Sequence, residues 1–266
     1  MRAGPILLFI VGFYVLLAAY LYVMQRRLLY FPSSDYLTPH EAGLDGVEEV
    51  VVKTKYTKRL LAWYAPAPKG RPTILYFHGN GGSLATRAGR LDFLRQQGYG
   101  VLITTYRGYS GSSGTPAEFP IKMDAIYFYH WLQSKGVPES DIVLYGESLG
   151  TGVAIATALN QQPGAVILEA PYSAIVDVAA SKYWWMPVRW FMKDRFESAE
   201  LIGQVSAPIF MVHGELDEVI PIRHAKKLFE AASQPKEAVW LRDADHNDLY
   251  SKGAFDLIAR FIERHL

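Results

Sequence analysis

The sequence predicts an α/β fold: a mostly parallel central sheet with helices on both faces, preceded by an N-terminal transmembrane helix. Three observations predict it. From Thr73 onward, apolar runs of strand length alternate with stretches of helical pattern. A turn, Gly146-Glu147-Ser148-Leu149-Gly150, joins the apolar run 141–145 to the small-residue helical stretch 153–159. At the N-terminus, residues 3–25 are 23 residues with neither a charge nor a histidine.

Taken in order, that apolar run comes first. As a helix it spans roughly 34 Å at about 1.5 Å per residue, enough to cross a hydrocarbon core of about 30 Å. Arg26-Arg27 close it, and Tyr14, Tyr20, Tyr22 and Tyr30 gather toward one end as interfacial aromatics do. A cleaved signal peptide has a shorter apolar region and a small-x-small cleavage site. A helix apolar all round is either buried in a large core or spans a membrane, and a 23-residue run favours the span. Residues 1–27 are therefore expected to be an anchor that meets the membrane through residues 3–25. Arg2 with the terminal amine nearly balances Arg26-Arg27, so no orientation is assigned.

Phe31-Pro32-Ser33-Ser34 breaks the helix, and with Pro39, Gly43 and Gly46 it marks residues 28–46 as a linker. The folded domain is expected over 47–266, opening with an antiparallel strand pair at 47–54 and 59–65. Strands follow at 73–77, 100–106, 141–145, 165–169, 208–212 and 238–241. Helices are expected at 86–97, 119–134, 149–160, 222–232 and 254–266. Residues 174–203 interrupt this alternation as a cap insertion and hold Trp184, Trp185 and Trp190, three of the six tryptophans. An insertion there overlies the carboxyl ends of the strands, where open α/β sheets bind ligands. Two readings of it stand: an aromatic-lined cap that receives an acyl chain or touches the membrane, or a helix packing its apolar face on the core.

Composition removes several classes of function. A net charge of +1 gives no electrostatic footing for nucleic acid. With no cysteine there is no disulfide, no thiolate metal site and no thiol nucleophile. No His-Glu-x-x-His or comparable metal spacing occurs, and neither Gly79 nor Gly108 opens a phosphate-binding glycine motif. No metal and no cofactor is expected, and no oligomeric state is assigned.

What remains is serine chemistry. Gly-x-Ser-x-Gly between a strand and a helix is the context of a nucleophile elbow, with the Ser148 hydroxyl exposed at the tip and the Leu149 amide beside it. A serine nucleophile needs a base, and the base needs an orienting carboxylate. Asp217 follows a strand end within His213-Gly214-Glu215-Leu216-Asp217-Glu218, and its loop closes on Val219-Ile220-Pro221. His246 follows the last strand. The rivals Glu215, Glu218, Asp243 and Asp245 read as solvated loop carboxylates. His78 and His213 read as turn residues, and His40, His130, His224 and His265 as surface or helix positions. The loop His78-Gly79-Asn80-Gly81-Gly82 supplies the Asn80 amide as second oxyanion donor. In the expected reaction Ser148, deprotonated by His246, attacks an acyl carbonyl. His246 then protonates the leaving group, and water releases the acyl group.

These motifs, with Tyr106-Arg107-Gly108-Tyr109, Glu169-Ala170-Pro171-Tyr172 and Arg27-Leu28-Leu29-Tyr30-Phe31-Pro32, resemble the serine hydrolases of the α/β-hydrolase fold over about residues 47–266. More narrowly, the chain resembles a membrane-anchored subgroup related to α/β-hydrolase-domain depalmitoylases and lysophospholipid lipases. The resemblance implies Ser148, Asp217 and His246 as triad and Asn80 with Leu149 as oxyanion donors. The depalmitoylases dock through palmitoylated cysteines, whereas this chain has none and carries an apolar helix instead. The expected activity is hydrolysis of carboxylic ester or thioester bonds in a lipid or acylated substrate. Tyr109, Tyr172, Trp184, Trp185 and Trp190 are the candidate substrate-binding residues. The alternatives are a serine peptidase of the same fold and a catalytically silent, membrane-held interaction module.

Overall fold

A computed structural model describes residues 3–54, 59–159 and 161–266. Arg2, at the start of the apolar run, and Asn160, the expected end of the elbow helix, lie outside the described residues. The chain opens with α1 (Ala3–Leu29), β1 (Phe31–Pro32), β2 (Glu48–Val52), β3 (Leu60–Ala65), β4 (Thr73–Phe77) and β5 (Gly81–Gly82). It continues with α2 (Ala88–Gln96), β6 (Gly100–Thr104), α3 (Glu118–Ser134), β7 (Ile142–Glu147), α4 (Leu149–Ala158) and β8 (Ala165–Glu169). Three short helices follow, α5 (Ile175–Lys182), α6 (Val188–Phe191) and α7 (Ser198–Leu201). Last come β9 (Ile209–Gly214), α8 (Arg223–Ala231), β10 (Lys236–Leu241) and α9 (Ala254–His265).

Eight strands form one sheet in the order β10-β9-β8-β7-β4-β6-β3-β2. Only β2–β3 and β3–β6 pair antiparallel; the other neighbours are parallel. The central strands are buried along their whole length, so their side chains alternate between two cores rather than between core and solvent. Leu75 and Phe77 of β4 join one core with α3, α4 and Leu228 of α8. Ile74 and Tyr76 join the other with Leu91 and Leu94 of α2 and one face of α9. On α9 that face is Phe255, Ile258, Phe261 and Ile262, a helical spacing of three and four.

Element ends moved where local bonds competed with the periodicity. The helix expected from 86 begins as a 3-10 turn at Ala85–Arg87, because the Thr86 hydroxyl donates to Ser83 O at 2.7 Å and draws the chain into a side-chain turn. The last strand starts at Lys236 rather than 238, since backbone pairing with Ile209 at the sheet edge needs no apolar side chain. Phe31-Pro32, expected only to break the helix, pairs in parallel with Gly81-Gly82 as a two-residue ladder.

Helix α1 is long and apolar enough to span a membrane, and its residues 4–13 are all exposed. Its second half docks on the segment between β8 and β9. Arg26 grips Asp194 through two bonds of 2.9 and 3.1 Å, and Lys193 N donates to Gln25 Oε1 at 2.7 Å. Tyr22 packs edge-on against Phe191.

Candidate active site

The elbow needs glycine at two places for steric reasons. A Cβ on Gly146 would lie 2.5 Å from Gly150 O and the Thr151 Cα, and one on Gly150 would run into Phe77 O. Ser148 itself sits at φ 50°, ψ −115°, a strained conformation held by its amide donating to Glu169 O at 2.8 Å. Its hydroxyl thus stands between the end of β7 and the first turn of α4.

The loops after β9 and β10 bring the other two side chains to it. Asp217 is buried, and its Oδ1 accepts the amides of Val219 and Ile220 at 2.8 and 2.7 Å. That turn aims Oδ2 at His246 Nδ1, 2.7 Å away. The His246 loop is shaped by Asp245, whose carboxylate accepts the amides of Asn247 and Asp248 at 2.7 and 3.2 Å. His246 Nε2 then lies 3.1 Å from Ser148 Oγ. A carboxylate can only accept, so His246 carries its proton on Nδ1 and leaves Nε2 free to take one from the hydroxyl. Glu215 and Glu218 are exposed, and Asp243 pairs with Lys252.

Asn80 and Leu149 line the same cavity as Ser148. Among the described residues, neither amide donates to a protein acceptor. Gly79 lets the loop pass close: a Cβ there would lie 3.6 Å from Ser148 Cβ and 3.3 Å from Glu147 Oε1. The amide of Leu149 opens α4, where orphan N–H groups favour negative charge.

Several residues under the elbow escaped the sequence reading. Arg87 forks onto Glu147 (2.9 and 3.1 Å), which also accepts the Tyr76 hydroxyl at 2.6 Å. Arg90 does the same with Glu169 (2.8 and 3.3 Å), joined by the Tyr145 hydroxyl. Burial pushes the Glu147 carboxyl up, but Arg87 and Arg90 outweigh it and hold the carboxyl below the usual range. The signal was present: two arginines three residues apart after the glycine loop, and a carboxylate inside the elbow itself. His213 Nε2 hydrogen-bonds Ile220 O at 2.8 Å and lies 3.3 Å from Asp217 Oδ2, and burial lowers its pKa. His78 stacks on Tyr106 at 4.3 Å, and burial with the Arg87 charge lowers its pKa to about 3. His224, expected at a surface or helix position, is on α8 but buried and bonded to Ser173 Oγ at 3.1 Å.

A cavity of about 480 Å³ opens over Ser148. The five aromatic residues expected to bind substrate there are not among its lining residues. Tyr109 and Tyr172 are buried behind it, their hydroxyls donating to Asn80 O (2.8 Å) and Leu149 O (3.0 Å). Trp184 and Trp190 point outward, 82% and 85% exposed, and Trp185 is exposed too. The walls are instead mainly aliphatic: Ile175, Val178 and Ala179 of α5, Val219 and Ile220, and residues of α1. The rings that do line the cavity are others: Phe191 of α6, edge-on against Tyr22 of α1, with Tyr183 and Phe31.

Fold and site together define an α/β-hydrolase. The chain belongs to the hydrolase family described as serine aminopeptidase S33, whose sequence model matches residues 68–201. It is 34% identical over 249 residues to an uncharacterized protein of Mycobacterium tuberculosis, covering 91% of this chain and 89% of that one. It is 33% identical over 227 residues to the lysophosphatidylserine lipase ABHD12 of Danio rerio, covering 76% of this chain and 59% of that protein. It is 26% identical over 226 residues to the human α/β-hydrolase domain-containing protein 17B, with 84% and 77% coverage. In three dimensions it is similar to the Pyrococcus furiosus esterase Pf2001, with a TM-score of 0.70 at 17% identity, covering 89% of this chain and 98% of that one. The chain is thus an α/β-hydrolase.

Proposed function

We propose that this protein is a membrane-anchored serine hydrolase that cleaves ester or thioester bonds of acyl substrates through an acyl-enzyme on Ser148. The observation that carries the reading is the relay from Ser148 Oγ through His246 to buried Asp217, at 3.1 and 2.7 Å, opening into an apolar cavity. Ser148 Oγ attacks the acyl carbonyl as His246 Nε2 takes its proton. The amides of Leu149 and Asn80 receive the oxyanion, each such donor supporting about 10²–10³ in rate. As the tetrahedral adduct collapses, the alcohol or thiol departs with the proton from His246. Water, deprotonated by the same imidazole, then attacks the acyl-serine and returns free acid and Ser148.

The relatives named as a lipase and an esterase support ester substrates. The family description favours a second reading, a peptidase. A peptide, however, has main-chain polar groups to satisfy, and this cavity offers them few partners. The test uses full-length protein in detergent with a fluorophosphonate probe, p-nitrophenyl esters and p-nitroanilide peptides. We expect labelling that Ser148→Ala abolishes, and turnover of esters rather than anilides. Labelling that survives Ser148→Ala refutes the nucleophile, and turnover of anilides alone establishes the peptidase.

A further inference from the structure

The wall of the cavity opposite α5 is the apolar N-terminal helix itself. Ala18, Leu21, Gln25 and Leu29 line the space that holds Ser148. They recur every three or four residues, so one stripe of α1 faces the cavity while Leu16, Tyr20 and Val23 on its other faces are exposed. The docking is fixed at two levels. Arg26 and Gln25 hold Asp194, Lys193 and the Phe191 carbonyl at one level, and the Tyr14 hydroxyl donates to the Trp185 carbonyl at the other.

The distance between those levels has a consequence for depth. Twelve residues separate Tyr14 from Arg26, roughly 18 Å of helix. With Arg26 at the membrane boundary, the cap level with Tyr14 stands more than halfway into a hydrocarbon layer of about 30 Å. Residues 4–13, all exposed, cover the remaining depth. On the cap, Trp184 faces outward beside the Trp185 carbonyl that Tyr14 meets, and Trp190 faces outward next to Phe191 at the Gln25 level, apolar rings with one N–H each that suit a lipid surface. The same polypeptide then reaches the oxyanion loop. Phe31 N donates to Asn80 O at 2.9 Å, and Asn80 Nδ2 donates to Leu29 O at 3.1 Å. Tyr109 holds that carbonyl from its other side, which orients the amide face of the loop.

We propose that α1 is part of the substrate site, and that a single acyl chain of a bilayer amphiphile slides in laterally between α1 and α5, carbonyl toward Ser148. The inference rests on the reading of Ser148 as the acylated nucleophile. In it the cap is immersed in the hydrocarbon layer, and the acyl chain never crosses water. Leu21 sets the width of the slot, and the Leu29–Phe31 segment positions the oxyanion loop.

Two measurements on the full-length protein in lipid nanodiscs test this. The first is a long-chain alkyl fluorophosphonate carrying a diazirine near the chain end. After it labels Ser148 and is irradiated, cross-links within residues 14–29 are expected. Labelling of Ser148 with cross-links only outside α1 overturns the inference and leaves the hydrolase reading intact, whereas no labelling of Ser148 overturns both. The second compares p-nitrophenyl acetate with p-nitrophenyl dodecanoate. Leu21→Trp, which fills the slot, should cut the ratio of kcat/KM for dodecanoate over acetate by about tenfold or more. Leu16→Trp, on the exposed face, should leave that ratio unchanged. An unaltered ratio in Leu21→Trp makes α1 a tether only. Should Leu21→Trp fail to fold, the cross-linking of the unaltered chain decides.

Discussion

The cavity has two unlike sides. Under the carbonyl site, each buried carboxylate has more than one partner. Glu147 meets Arg87 and Tyr76, Glu169 meets Arg90 and Tyr145, and Asp217 accepts from two amides and His246, with His213 Nε2 3.3 Å from its Oδ2. On the acyl side, α5, α6 and α1 meet through apolar surface, mainly aliphatic with the Tyr22–Phe191 ring pair, and polar clasps join them at Arg26–Asp194 and Tyr14–Trp185. The contrast matches the two tasks. A reacting carbonyl needs donors and a base fixed to fractions of an ångström. An acyl chain offers no polar atoms, so its side needs only apolar area and tolerates variation in length. The polar side should therefore set rate, and the apolar side should set chain length and affinity.

The largest effect should come from the polar side. Ser148→Ala should lower kcat for any ester by about 10⁶. Asp217→Asn leaves a side chain of the same shape but favours the wrong His246 tautomer, and should cost about 10⁴. Both losses should be the same for acetyl and dodecanoyl esters, measured by stopped-flow or burst kinetics. A loss that depends on chain length would break the division between the two sides.

Next in size is the support beneath the elbow. Arg90→Met leaves the Glu169 carboxylate buried with only Tyr145 for company. Removing one partner of a buried pair costs about 3–5 kcal/mol, read as a lower midpoint in urea unfolding. Because Glu169 O also holds the Ser148 amide, kcat should fall more than KM changes. A shift under about 1 kcal/mol would mean the pair behaves as a surface one.

The polar side was also the side legible in the sequence. Gly146, Ser148 and Gly150 announce themselves because a strained turn admits few residue types, and the strand-loop order places Asp217 and His246 near them. Strand alternation from Thr73 onward likewise reflects burial on both faces, a local pattern. The acyl side left no such trace. Its walls come from residues 18–29 and 175–192, more than 140 positions apart, and aliphatic residues look alike whether they face lipid, core or cavity. The rings Trp184 and Trp190 suggested a lining because composition cannot say which way a side chain points. Arg87 and Arg90 carry a weak signal for the opposite reason: charged residues near a helix start read as solvated until their buried partners are known.

The smallest expected effect concerns acid, and it sharpens the comparison because it is confined to the polar side. His78 lies in the oxyanion loop, its ring against Tyr106 and Tyr109, with Arg87 as the nearby cation. Burial first and Arg87 second lower its pKa to about 3, so it stays neutral in the fold. In the unfolded chain it protonates near pH 6.5. Between those values the unfolded state binds the extra proton, so stability falls as pH drops through about 6.5 and the loss saturates near pH 3. One such histidine contributes a slope of about 1.4 kcal/mol per pH unit. His213 and His224, lowered by burial as well, add to it in the same direction. His78→Phe keeps a ring against Tyr106 and removes one titrating group. Unfolding free energy measured from pH 6 to pH 4 should lose about one proton's worth of slope in the variant. An unchanged slope would mean that His78 is protonated in the fold, with the Gly79 carbonyl stabilising the cation at 2.6 Å against Arg87.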